Sequence, residues 1–452
     1  MLQTSSERVE LARLRSAVAG DIHVPGDPGY DAARAAWNLA VDQCPALVAR
    51  PRGAADVAQI VRFAAEQDLR VAPQGVGHGA GRVGSLEQSV LLRTNLMRGV
   101  QIDAARRMAR VQAGASWSDL LDATAPHGLA APAGSAPDVG VVALALGGGI
   151  GWLSRAHGLC CHAITAAELV TPALGRVRCD AEHRPDLLWA VRGGGGDFGV
   201  VTAIELALVP VPELHGGSML WPWERAREVL HAWRRWTGVV PETTTTAARL
   251  LQVPDMPEVP APVRGRRFVT VSGALLESPH NAASLLAPLR DLGPEIDMFA
   301  PITADALTRL HLEPEQPVPA RVGHRLLNRL SSETVDALVV AAGPDSGSTL
   351  VSVEIRHLGG AVAREAPGAL ARLDAEYLLL GVGMPAGPAE RANVEQQLER
   401  VLATAAGCAA SSEYLNFGDN PGQAARSLTP VSLDELARCR ALTDPAGIIQ
   451  TV

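Results

Sequence analysis

Over residues 54–68 apolar side chains recur at Val57, Ile60, Val61 and Ala64, the spacing of one buried helical face. A short strand over 69–72 follows, and then a loop, Pro-Gln-Gly-Val-Gly-His-Gly-Ala-Gly-Arg, over 73–82. Upstream, 21–40 read as a Pro/Gly turn cluster running into a helix, and 45–48 as a first strand. Downstream, short strands are predicted over 91–92, 100–102 and 108–113, a helix over 117–126 and a helix-like stretch over 139–146. Residues 167–179 alternate as a hairpin turning at 172–175, 183–191 read as a helix and 200–208 as a strand. Pro210 and Pro212 mark a boundary. Beyond 215 longer strands (268–275, 347–357, 375–382) mix with helices (222–236, 280–291, 387–405, 432–442). The pattern predicts an α+β fold in which a second unit carries antiparallel strands backed by helices.

At 452 residues and 47% hydrophobic composition the chain can form two or three structural units. Its net charge of −8 argues against a nucleic-acid groove or an anionic membrane surface as partner. No apolar leader opens the sequence, and the longest uncharged apolar stretch, 139–153, is broken by glycines. The expectation is a cytoplasmic protein with no membrane span. The six cysteines form no C-x-x-C pair, so no metal site is expected. All 40 basic residues are arginine, which excludes a Walker A lysine and a lysine Schiff base.

Chemistry enters with the glycines. Gly75, Gly77, Gly79 and Gly81 alternate around His78. A second run, 131–159, contains Gly134-Ser135-Ala136-Pro137-Asp138-Val139-Gly140 and Gly147-Gly148-Gly149-Ile150-Gly151-Trp152. A third is Arg192-Gly193-Gly194-Gly195-Gly196-Asp197-Phe198-Gly199, followed by Val200. Glycine lets a backbone turn tightly and approach a ligand closely, and a loop's unpaired N–H groups bind phosphate. The spacing in 75–79 does not fit the G-x-G-x-x-G of a Rossmann unit. Three separate runs fit several backbone segments wrapped around one large phosphate-bearing cofactor.

These blocks resemble those of the FAD-linked oxidases of the berberine bridge enzyme type, within the vanillyl-alcohol-oxidase-like (PCMH-type) flavoproteins, and suggest a bacterial member. Residues 73–81 stand where that family has R-x-G-G-H, with Gln74 at or near its arginine. Residues 132–158 match its second block and 184–201 its DLxWAxRGGGGxFGVV block. Residues 414–417 (Tyr-Leu-Asn-Phe) match its Y-x-N-Y, and 440–445 its terminal R-x-L…DP element.

The resemblance implies an FAD-binding domain over 1–210, a substrate domain with an antiparallel sheet over 211–395, and a segment over 396–452 returning to the FAD domain. It implies FAD bonded covalently through His78 alone, because Ala136 stands where many members have a second, cysteinyl link. The cofactor-binding set it implies is Gln74, Gly75, Val76, Gly77, His78, Gly79 and Ala80; Gly134, Ser135, Val139 and Gly140; Gly147, Gly148, Gly149, Gly151 and Trp152; and Val200 and Asn416. At the position of Val139 the family has a side chain that gates oxygen, and valine there goes with O₂ as acceptor. Tyr414 occupies the position of a frequent catalytic base, and Tyr377 on a predicted strand offers a second phenol. A tyrosine base needs its pKa, ordinarily about 10, lowered by its surroundings.

The implied activity is oxidation of a C–OH or C–N centre in a small-molecule substrate, a sugar or specialised metabolite, with O₂ giving H₂O₂. A dehydrogenase using another acceptor, or a flavin-binding scaffold or cyclase without net redox, remains an open alternative, as do monomer and homodimer.

Overall fold

A computed structural model describes residues 5–257, 259–311, 313–418 and 424–450. The chain first builds two small sheets. The four-stranded one places Leu47–Arg50 and Arg70–Gln74 on either side of Ser89–Arg93, all parallel, with Asp21–His23 antiparallel at the edge. Parallel neighbours need a crossover, and Ala54–Glu66 supplies it, burying Val57, Ile60, Val61 and Ala64 as its spacing requires. Residues 21–40 hold less helix than expected, only Tyr30–Arg34, because Pro25, Gly26, Pro28 and Gly29 keep the chain in turns.

The five-stranded sheet is antiparallel, built from Val100–Asp103, Met108–Gln112, Ile164–Thr171, Gly175–Asp180 and Val200–Ala207. The helix Trp117–Thr124 beside it starts on a capping box, in which Ser116 accepts from the Asp119 N–H and the Asp119 carboxylate accepts from the Ser116 N–H.

Residues 215–383 supply an eight-stranded antiparallel sheet. Its register gives the two faces different jobs. Val269, Val271, Ala248, Leu250, Val353, Ile355, Leu379 and Tyr377 share the face covered by the helices Ala226–Thr237, Ser332–Ala342 and Pro388–Ala403. There Trp221 and Trp233 are fully buried, and burying a side chain of that size stabilises by about 2–3 kcal/mol. The other face carries Arg249, Glu354, Arg356 and His324, and turns towards the first unit.

The expected boundary at 395 falls inside Pro388–Ala403, which packs along its length on Arg321–Leu327 and Tyr377–Gly383. The chain returns to the first unit only beyond this helix. Pro430–Thr443 packs on Pro185–Val191, and Ile449 pairs in parallel with Val71 at the edge of the four-stranded sheet. Among the described residues no helix is long and apolar enough to cross a membrane.

Candidate active site

The loop after Arg70–Gln74 is held from behind by one arginine. Arg93 ends the central strand of its sheet, and its guanidinium donates to the carbonyls of Gly75 (3.2 Å), Val76 (3.4 Å), Ala33 (3.2 Å) and Ala35 (2.6 Å). Burial, and secondarily the Arg50 charge, lower its pKa to about 10, so it remains a cation. Trp37 N–H donates to Val76 O and Asn38 N–H to Gly77 O. A peptide whose carbonyl is tied to one side presents its N–H to the other. Accordingly none of the N–H groups from Gly75 to Gly79 donates to another described residue. Gly77 makes the turn at φ +101°, where a Cβ would lie 2.9 Å from Gln74 Nε2 and 3.1 Å from Ala36.

The second loop, 134–140, is built in the same way by different means. The capped N-terminus of Trp117–Thr124 donates from Trp117 to Val139 O (3.0 Å) and from Ser118 to Pro137 O (2.9 Å). The N–H groups of Gly134, Ser135, Ala136, Asp138, Val139 and Gly140 again have no acceptor among the described residues. Two neighbouring runs of outward N–H groups form concavities suited to an anion such as a pyrophosphate. The chain therefore fits a dinucleotide cofactor by its own geometry.

The loops meet at His78, whose Nε2 lies 3.3 Å from Asp138 Oδ2 while the ring stacks on Trp37 at 3.9 Å between centroids. Other contacts draw the remaining segments in. Arg82 donates to Leu415 O (2.8 Å), and Asn416 Nδ2 donates to Leu144 O (2.8 Å) and Tyr414 Oη (3.2 Å). Gly147 lies against Asn416, and Gly148 (φ +120°) against Tyr414; a Cβ at Gly147 would fall 1.9 Å from Asn416 Oδ1. Arg356 reaches from the large sheet to Ser135 Oγ (3.1 Å) and stands 5.1 Å over the Phe417 ring.

Tyr414 is 1% exposed. Burial pushes its phenol well above the usual range, and the Asn416 hydrogen bond offsets this only in part. The surroundings thus hold the phenol protonated, the reverse of the lowering that a tyrosine base requires. His324, from Arg321–Leu327, locks the segment in place: its Nε2 accepts from Tyr414 N–H (3.0 Å) and its Nδ1 pairs with Phe417 O (3.2 Å). Burial lowers its pKa to about 4, so the ring is neutral at pH 7.

Tyr377 lies elsewhere. It is on the helix-covered face, bonded to Thr237 (2.8 Å) and stacked on His357, so the sheet separates it from Tyr414. Gln74 points its amide at Gln43 in a paired contact (2.9 and 3.1 Å) and so braces the loop from beneath. Val200 is a buried ladder residue opposite Val170, and Ala80 is buried beneath the first loop. Trp152 packs edge-on to His311, and Gly151 is forced by Ala133 O, 1.4 Å from where its Cβ would lie. Gly79 N–H completes the first run, and Gly149 (φ +80°) turns the chain against Cys160.

Sequence reasoning missed Arg93, Arg155 and His324. Arg155 is buried and ties Ser154–His157 to the large sheet through Thr244 O (2.8 Å), His357 Nε2 (2.8 Å) and Leu358 O. An arginine closing the apolar strand Ser-Val-Leu-Leu-Arg was the available signal for Arg93.

On the site-facing side, Glu354 pairs with Arg356. Burial alone would raise its carboxyl, but Arg356, His311 and Arg249 outweigh that and hold it below the usual range. His311, Glu313 and Glu354 have ligand atoms within 4.8 Å of one another. Arg249 and Arg356 already balance the two carboxylates, so the group carries no excess charge for a cation.

The amide-lined loops, with the histidine between them and the buried Tyr-x-Asn segment beside them, fit a flavin adenine dinucleotide. The family described as FAD binding domain matches residues 45–180, which span both loops. The chain belongs to the berberine bridge enzyme-like, PCMH-type FAD-linked oxidoreductases. It is 37% identical over 205 residues to (R)-6-hydroxynicotine oxidase of Paenarthrobacter nicotinovorans, covering 45% of each chain. The sequence matches span about half the length of the first curated relatives. Structural similarity extends further. The fold superimposes on 6-hydroxy-D-nicotine oxidase from Arthrobacter nicotinovorans with a TM-score of 0.79 at 26% identity over 96% of both chains. It matches the berberine-bridge-enzyme-like protein 1 of Physcomitrella patens with a TM-score of 0.85 at 19% identity over 98% of both.

Proposed function

We propose that the protein is an FAD-dependent oxidase of a small-molecule amine, acting at a C–N centre, with O₂ as the electron acceptor. The observation that carries this reading is the full burial of Tyr414, whose phenol oxygen is already engaged by Asn416. Oxidation of an alcohol requires a base for the O–H proton. A neutral amine that gives up hydride from its α-carbon leaves an iminium product and needs no such base. A phenol held neutral, its oxygen already accepting from Asn416, suits the second case. The resemblance to a hydroxynicotine oxidase supports the same class.

Bound FAD supplies the two-electron acceptor. The chain's residues do the rest. The N–H groups of 75–79, 134–136 and 138–140 would hold the cofactor's phosphates, and His78 would carry it covalently, without a second link because Ala136 has no nucleophile. Tyr414 and Asn416 orient the substrate, and Arg356 with Glu354 closes the site from above without adding net charge. Val139, a small partly buried side chain in the second loop, is the residue we assign to oxygen access.

The test is a panel of secondary and tertiary amines and matched alcohols, scored by peroxide release and by anaerobic bleaching of the flavin. Bleaching by amines with one H₂O₂ per product supports the proposal. Bleaching without peroxide would make the protein a dehydrogenase, and bleaching by alcohols alone would overturn the C–N assignment.

A further inference from the structure

The His78–Asp138 contact is not explained by holding phosphates. Both Asp138 carboxylate oxygens are enclosed without a hydrogen-bond partner, and so is His78 Nε2. Nε2 and Oδ2 are close enough to pair, at 3.3 Å, but are not aligned as a hydrogen bond. His78 Nδ1 is not enclosed in this way. Trp37 fixes the plane of the ring by stacking at 25°. An acceptor-only group and a ring nitrogen left facing each other in an enclosed place are each other's natural partners, since an unmet buried polar atom costs about 1–3 kcal/mol.

We propose that Asp138 is a positioning residue for covalent flavin attachment. It accepts the Nε2–H of His78, which selects the tautomer whose lone pair is on Nδ1 and aims that nitrogen at the cofactor. This rests on the covalent link through His78 proposed above and goes further by naming the nitrogen and the group that directs it. The step balances as follows. A C–N bond forms between Nδ1 and the 8α carbon of the flavin, while one methyl C–H bond and the imidazole Nε2–H bond are broken. The two protons leave, the Nε2 proton by way of Asp138. The electron pair reduces the ring system, and dioxygen removes it as H₂O₂, one per flavin linked. As Nδ1 is alkylated the imidazole becomes transiently cationic, and the carboxylate 3.3 Å away stabilises that charge.

The experiment follows linkage after FAD is supplied to freshly purified protein in air, read as flavin fluorescence of the acid-precipitated, denatured chain and as intact mass. Wild type, Asp138→Asn, Asp138→Glu and His78→Ala are compared, with total bound flavin measured separately from visible absorbance. The inference expects Asp138→Asn to bind FAD as wild type does but to link it about tenfold or more slowly, with Asp138→Glu restoring much of the rate. Where Asp138→Asn does not fold, Asp138→Ser carries the same expectation. Linkage at the wild-type rate in either variant overturns the inference while leaving the His78 link in place. Flavin wholly released by acid from wild type removes the covalent link, and this inference with it.

Discussion

At the scale of single residues, one buried phenol has the sharpest consequence. On the proposed reading Tyr414, held protonated by burial, positions the substrate, so Tyr414→Phe should slow anaerobic flavin reduction by about tenfold, one hydrogen bond's worth. The pH profile of reduction should follow the amine's own ionisation in both proteins. A limb that vanishes in the variant would restore the general-base role. This residue was readable from the Tyr-Leu-Asn-Phe string, but its protonation was not, because that depends on what surrounds it. Asp138 was visible as a letter in the second block, and only folding revealed His78 beside its carboxylate. His324 had no signal, since nothing in Arg-Val-Gly-His-Arg-Leu-Leu announces contacts with a segment about 90 residues away.

At the scale of elements, each loop depends on a device that ties its carbonyls back. Replacing Arg93 by Leu removes the donor from four carbonyls, and the variant should lose about 3 kcal/mol of stability and most of its affinity for FAD, measured by flavin fluorescence on titration. Gly77→Ala puts a side chain at φ +101° against Ala36, at a cost of about 1–3 kcal/mol, and should weaken FAD binding without altering the large sheet. Unchanged affinity in both would mean that the loop is not the cradle. Elements were legible where one face is buried and the other wet. Ala54–Glu66 shows this, as does the hairpin of Ile164–Thr171 and Gly175–Asp180, whose second strand alternates towards solvent. The strands His215–Pro222 and Thr244–Gln252 were not assigned. Both are almost wholly buried on both faces, so neither Gly-Gly-Ser-Met-Leu-Trp nor Thr-Thr-Thr-Ala-Ala alternates.

At the scale of the whole molecule, the two units are joined through neutral histidines. His324 grips the Tyr414 segment, and His357 meets the Arg155 guanidinium. Burial, joined at His357 by the Arg155 charge, lowers their folded values to about 4 and about 3, from 6.5. A histidine with a lowered folded pKa contributes stability that is complete above 6.5 and lost as pH falls towards the folded value. Each should therefore cost about 1.4 kcal/mol per pH unit below 6.5. Urea midpoints between pH 7 and 4.5 should fall, with His311, His157 and His162, which burial lowers in the same direction, adding to the slope, and His324→Asn should remove about one proton from it. A flat midpoint over that range would show that these rings are accessible to protons without unfolding.

The parallel pairing of Ile449 with Val71 bears on how the chain is made. Gln450 adds bonds to Ser89, Val71, Val83 and Ser85, so the first sheet is finished by residues synthesised after the whole inserted unit. The eight-stranded sheet and the helices on its back use residues 215–405, and every strand pairing it needs lies within that stretch. On the ribosome the inserted unit can therefore mature while the earlier-made half still waits for its closing strand. Vectorial synthesis thus runs opposite to the order of completion, and the first sheet can become fully braced only after residue 450 has been made.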